Sequence, residues 1–179
     1  EVEDLGIAAG AMDRVIQAHG GLMAMDLKEP RGADSYQALD PAGLPPLFVA
    51  WDPVGGKPSG RAHGKLRSRW LAGDAEVLEA IEAFRDLVDE GVACLGSGDH
   101  ERFRDLMSMN FEMRSAIFDV SPGDRRLVAI ARENGGAAKL SGSGGAVVGT
   151  ADPEGFAALE ARYRETGCGF VRASPAMLP

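Results

Sequence analysis

Five residues, Ser141-Gly142-Ser143-Gly144-Gly145, sit between two short apolar runs, Ala137-Ala138-Lys139-Leu140 and Ala146-Val147-Val148. Glycine tolerates positive φ and lets backbone N–H groups come close to a ligand. Successive N–H groups in such a turn form a concavity that attracts anions. A plain hairpin turn uses the same residues, so the loop alone does not decide. Asp13 follows a small-residue stretch, Ala8-Ala9-Gly10-Ala11, at the start of a short helix. A carboxylate there complements the helix dipole; beside a substrate hydroxyl it can also act as a general base.

Two further groups have chemistry in reach. Residues 55–73 hold Lys57, Arg61, Lys65, Arg67, Arg69 and His63 without a single acid, in a chain of 19 basic and 27 acidic residues. Such a run is either a solvated helix face or a funnel for an anion: phosphate, nucleotide or sugar acid. Asn110 and Arg114 interrupt an apolar helix stripe one turn apart. Buried polar groups need partners, so the pair either points into a cleft or stays on a partly exposed face.

The elements that carry these residues follow from pattern. A short helix spans about 11–19, with Val15, Ile16 and His19 on one face, and Gly20-Gly21 ends it. Residues 22–27 read as a strand, and 28–46, rich in Pro, Gly and Asp, as a loop or hairpin connection. Leu47-Phe48-Val49-Ala50-Trp51 is a buried strand closed by Asp52-Pro53. A loop from Gly55 to Gly60 leads into a helix carrying Leu66 and Trp70. A helix over about 75–95, N-capped by Asp74, has Val77, Ile81, Phe84, Val88, Val92 and Leu95 on one stripe. Asp99 caps the next, about 100–118, with a stripe of Phe103, Met107, Asn110, Arg114 and Ile117. A helix over about 124–134 stops at Gly135-Gly136, and the opening stretch follows as strand–turn–strand. Asp152-Pro153 reads as the N-cap and first residue of a helix with Phe156, Leu159 and Tyr163. Gly167 ends it before a last strand, 169–173. Strand, four helices, two strands, helix, strand predicts an α+β sandwich of the ferredoxin-like kind with a helical insertion.

Composition narrows the partners. The 179 residues are 45% hydrophobic, enough for a proper core. A net charge of −8 makes nucleic acid a poor partner. No apolar run approaches the ~20 residues of a membrane span, and the acidic start Glu1-Val2-Glu3-Asp4 has no signal-peptide pattern. Two distant cysteines, Cys94 and Cys168, suit a reduced, cytoplasmic setting. The scattered histidines His19, His63 and His100 argue against a zinc site, so no metal ligand is assigned in this chain. The first residue is not Met, consistent with a piece of a longer chain.

Two distant stretches resemble one family. Gly10-Ala11-Met12-Asp13, continuing to Gly20-Gly21, resembles the Gly-x-x-Asp…Gly-Gly segment of the GHMP kinases, and Lys139 to Gly145 resembles their third, glycine-rich motif. Residues 56–63, 67–74, 106–114 and 143–148 look like the uronic-acid branch, the glucuronokinases. Ala146 stands where many members have a further glycine, and Arg14 where they have Gln; both differences look like that branch. The family's second motif, which wraps the ATP phosphates, has no counterpart in the sequence.

The resemblance implies the C-terminal half or so of an ATP-dependent kinase. Residues 1–46 would be the tail of the N-terminal domain and 47–179 the ferredoxin-like C-terminal domain. The reaction implied is phosphorylation of the anomeric hydroxyl of a uronic acid, glucuronate first. Asp13 would take or orient the hydroxyl proton, and Ser141, Gly142, Ser143, Gly144 and Gly145 would close over the transferring phosphate. ATP and Mg²⁺ are the implied cofactors, with the Mg²⁺ ligands expected N-terminal to this chain. The charge pattern, not the resemblance, offers Lys57, Arg61, Arg67, Asn110 and Arg114 for the substrate carboxylate. Other GHMP kinases (for galactose, a heptose phosphate or mevalonate) and a non-catalytic ferredoxin-like binding module are the alternatives.

Overall fold

The computed structural model describes residues 12–27, 35–54 and 60–173, without the side chains of 60–65. They fall into two compact units that divide between Gly43 and Leu44.

The first unit begins with helix α1 (Met12–His19). Gly20, at φ 70°, donates its N–H to Ile16 O at 2.7 Å and ends the helix. Strand β1 (Leu22–Met25) then pairs antiparallel with β2 (Tyr36–Leu39), Leu22 facing Leu39 and Met25 facing Tyr36. β2 lies inside a stretch whose Pro, Gly and Asp content predicts a loop or hairpin connection. Four residues with Tyr36 and Leu39 partly buried suffice for a strand, and the surrounding turn formers hide them.

The second unit is a four-stranded antiparallel sheet of β3 (Leu47–Trp51), β4 (Gly136–Leu140), β5 (Ala146–Ala151) and β6 (Gly169–Ala173). Their order is β4-β5-β3-β6. This is the split βαβ-βαβ arrangement expected. Four helices join β3 to β4: α2 (Gly60–Leu71), α3 (Ala75–Ser97), α4 (His100–Ile117) and α5 (Pro122–Glu133). Helix α6 (Phe156–Glu165) joins β5 to β6. The core gathers Phe48, Leu127, Val128, Leu140, Val147, Leu159, Tyr163 and Phe170. Phe48 stacks on Phe170 with centroids 5.2 Å apart. Burying each large apolar side chain stabilises the fold by ~1.5–3 kcal/mol. The Tyr163 hydroxyl is satisfied by donating to Leu127 O at 2.7 Å.

Three details depart from the pattern. On α3 the buried line is Val77, Leu87 and Cys94, with Phe84 and Phe103 against it, while Ile81 and Val88 are exposed. The contact with α4 follows a coiled-coil-like spacing rather than a straight 3.6-residue stripe. On α4, Leu106 and Phe111 are buried beside Met107 and Ile117, and the expected Phe103, Asn110 and Arg114 are only partly covered. Helix α6 starts at Phe156 rather than Pro153, with no side-chain cap. Asp152 is instead engaged by Arg104, and its carbonyl accepts the Gly155 N–H at 2.9 Å in a turn. Asp74 and Asp99 do cap α3 and α4, accepting from Val77 N at 3.4 Å and Arg102 N at 3.0 Å.

Candidate functional site

The loop 141–145 connects β4 to β5 and is closed at its neck by Ser141, whose N–H reaches Ala146 O at 3.1 Å. Three struts hold it. The Arg114 guanidinium on α4 donates from Nη2 to Gly142 O at 2.7 Å. The Asp124 carboxylate, in the first turn of α5, accepts the Gly145 N–H on Oδ1 at 2.6 Å. The Asp52 N–H, just past β3, reaches Gly145 O at 3.2 Å. Gly144 needs its missing side chain: it sits at φ 133°, and a Cβ there would stand 2.8 Å from Asp124 Oδ2.

The struts engage the ends of the loop. The N–H groups of Gly142, Ser143 and Gly144 have no partner among the described residues. Three consecutive free donors in a glycine turn are the material of an anion-binding nest. Charge reinforces it. Burial pushes the Arg114 guanidinium below its ordinary value, with Asp124 opposing. Burial, then the charge of Arg114, pushes Lys139 on β4 below its own. Arg114 thus touches the loop, and Lys139 lies near enough to feel its charge; two partly buried cations beside free N–H groups attract an anion.

Of the residues singled out by sequence, the fold brings Arg114 and the loop together, with Asn110 one turn before Arg114 on α4. Arg67 is exposed on α2. Arg61 is on the same helix, but its side chain and all of Lys57 lie outside the described residues. The basic run is less free than its acid-free sequence suggests. Arg69 is held by Asp74 at 2.7 Å and Glu76 at 2.5 Å, acids just beyond the run, and by Ile117 O at 3.4 Å. Asp13 is exposed in the first turn of α1, in the first unit.

Sequence reasoning missed Asp124 and Ser121, and named Lys139 only as part of the glycine-rich stretch, with no role of its own. Ser121 caps α5, accepting the Asp124 N–H at 3.1 Å and donating its hydroxyl to Asp124 Oδ2 at 2.7 Å. Its spacing to Asp124 resembles a capping box and marks the helix start two residues before the one expected. Nothing in the sequence announces that the carboxylate reaches a glycine twenty-one positions later. Among the described residues no group of three or more His, Cys, Asp or Glu side chains could hold a metal ion.

Residues 77–167 match the family model "GHMP kinases C terminal". The chain is 36% identical over 153 residues to Glucuronokinase 1 of Arabidopsis thaliana, covering 82% of this chain and 42% of that protein. It is 35% identical over 176 residues to Probable glucuronokinase 2 of the same plant, covering 92% and 48%. The chain therefore spans less than half the length of these curated relatives. Among solved structures, mevalonate kinase of L. major in complex with R-mevalonate superposes with a TM-score of 0.76 at 16% identity, over 92% of this chain and 51% of that one. Galactokinase of Lactococcus lactis complexed with galactose gives 0.68 at 10% identity, over 97% and 56%. The shared fold is that of the GHMP kinases.

Proposed function

We propose, since the chain belongs to the GHMP kinase family, that the protein containing it is an ATP-dependent kinase for the anomeric hydroxyl of a uronic acid, glucuronate first. The observation that carries this reading is the 35–36% identity to two plant glucuronokinases over most of the chain. The free N–H groups of the glycine loop support it, since phosphoryl transfer calls for donors to the transferring oxygens.

In this reading residues 1–46 end an N-terminal domain and 47–179 form the C-terminal one. The sugar C1 oxygen attacks the γ-phosphorus of ATP, the bond to the ADP oxygen breaks, and the hydroxyl proton goes to Asp13. The products are the sugar 1-phosphate and ADP. The transferring group carries its charge on peripheral oxygens, so catalysis is mostly positioning and charge neutralisation. The N–H groups of Gly142, Ser143 and Gly144 are assigned to those oxygens. They are preorganised, so they strengthen with developing charge at no reorganisation cost. Mg²⁺ bound with ATP would supply charge neutralisation, and none of its ligands is assigned to this chain. Cations among Lys57, Arg61, Arg67 and Arg114, with Asn110, are assigned to the substrate carboxylate. Arg114 has the best support, being partly buried beside the loop. Two free, buried cysteines and no helix long and apolar enough to cross a membrane, among the described residues, fit a cytoplasmic setting.

A substrate panel on the full-length protein tests the reading: glucuronate, galacturonate, galactose and mevalonate, followed by ADP release and phosphorus NMR of the product. Glucuronate as best substrate, giving a C1 phosphate, supports it. Galactose or mevalonate as best substrate overturns it.

A further inference from the structure

We propose that Asp124 is the positioning residue of the glycine loop: its carboxylate, buried behind the loop, fixes the direction in which the Gly142, Ser143 and Gly144 N–H groups point. The inference rests on the loop's assigned role in phosphoryl transfer.

Asp124 is 6% exposed. An ionised carboxylate is costly to bury unless its oxygens are paired, so its partners show what it is retained for. It does not cap its helix, because Ser121 does that through the Asp124 N–H. One carboxylate oxygen takes the Ser121 hydroxyl at 2.7 Å, and the other takes the Gly145 N–H at 2.6 Å. The Ser121 contact locks the carboxylate's orientation from its own helix, and the free oxygen is thereby aimed at the loop.

The consequence for the loop is steric and electrostatic. The Gly145 N–H is committed to Asp124 and not available to a ligand, and Gly144 passes Asp124 Oδ2 at φ 133° with no room for a Cβ. Arg114 pulls the Gly142 carbonyl from the other end. With the Gly142 carbonyl and the Gly145 N–H fixed, the Ser143 and Gly144 donors between them and the Gly142 N–H just before them are left free. Asp124 bears charge opposite to the loop's role, so its negative field would weaken the nest if unopposed. Arg114, which interacts with Asp124, offsets it.

Two readouts on the full-length protein test this, with Asp124→Ala and Asp124→Asn. The first is hydrogen exchange followed by mass spectrometry across residues 139–147. Asp124→Ala should raise exchange there, whereas Asp124→Asn should stay close to wild type, since its amide oxygen still accepts from Gly145. The second is steady-state kinetics with the best substrate from the panel. Asp124→Ala should lower kcat by about 10²-fold, as expected for misplaced catalytic groups, with the sugar KM little changed and Asp124→Asn restoring most of the rate. Unchanged loop exchange in a folded Asp124→Ala overturns the proposal, as does increased exchange confined to 121–126, the signature of a helix-start role only. Loop exchange needs no substrate, so an unexpected result in the substrate panel, which strikes the proposed function, is distinguishable from failure here.

Discussion

Gly144 and Gly142 are two residues apart, yet alanine at each should do opposite things. At Gly144 the φ of 133° costs a residue with a Cβ about 1–3 kcal/mol. The new methyl would also stand 2.8 Å from Asp124 Oδ2, where ordinary contact begins at 3.4 Å. The carboxylate must then give way, weakening a 2.6 Å bond to Gly145. A hydrogen bond to a charged group is worth ~1.5–3 kcal/mol; losing part of it brings the total to roughly 2–4 kcal/mol. In a unit of this size each kcal/mol moves the melting temperature by about 2–4 °C, so Gly144→Ala should melt several degrees early. Gly142 has no positive φ, and a methyl group added there would meet nothing within 4 Å. Gly142→Ala should leave stability within about 0.5 kcal/mol of wild type. Because its N–H is one of the three free donors, the methyl should nonetheless hinder close approach of the anion and reduce turnover. Thermal denaturation and steady-state kinetics on both full-length variants separate the cases. Equal melting temperatures for the two, or a fully active Gly142→Ala, would refute the reasoning.

Asp13→Asn in the full-length protein should lower kcat by about 10²–10⁴-fold, the usual range for a lost general base, with circular dichroism unchanged; undiminished turnover would make Asp13 a helix-start residue only. Tyr163→Phe should cost about 0.5–1.5 kcal/mol in chemical denaturation, the worth of one hydrogen bond, because the ring packing stays and only the bond to Leu127 O is lost. Lys139 gives a pH dependence. Its folded value lies below its ordinary one, through burial and then Arg114. Between the two values the unfolded chain binds the extra proton, so stability rises with pH through that alkaline window. Below both values the lysine is charged in both states and the penalty stands. Lys139→Met should therefore be more stable than wild type at neutral pH and should lack its share of the alkaline rise, measured by denaturant midpoints from pH 7 to 10.

The fold was legible in the sequence wherever a signal was local. Gly20, Gly135 and Gly167 mark helix ends by positive φ, and Asp74 and Asp99 cap as their positions predict. Local signals failed where a distant residue competed for the same group. Asp152 has the right neighbour, Pro153, to start a helix, but Arg104 on α4 takes its side chain. The α3 stripe erred for a related reason: which face is buried depends on a partner helix, and α4 selects Leu87 and Cys94 over Val88 and Ile81. The loop itself could be picked out from its glycines. Its struts could not, because Arg114, Asp124 and Asp52 reach it from three elements well removed in sequence.

The placement of those struts bears on how the loop works. All three belong to the second unit, as does the loop. The conformation that leaves three N–H groups free is therefore held by the unit's own residues rather than induced by an anion. Donors fixed in advance stabilise charge without reorganising; in the proposed reaction the entropy of ordering them would be met during folding rather than during each turnover. The proposed anion site would also account for a charge that stability alone selects against. Lys139, partly buried with its pKa depressed, disfavours the free protein, while a bound anion would restore its charge to advantage. Phosphate or pyrophosphate should accordingly stabilise the wild-type protein against heat more than Lys139→Met. An equal gain for both would place the anion away from Lys139 and leave the loop's N–H groups to hold it alone.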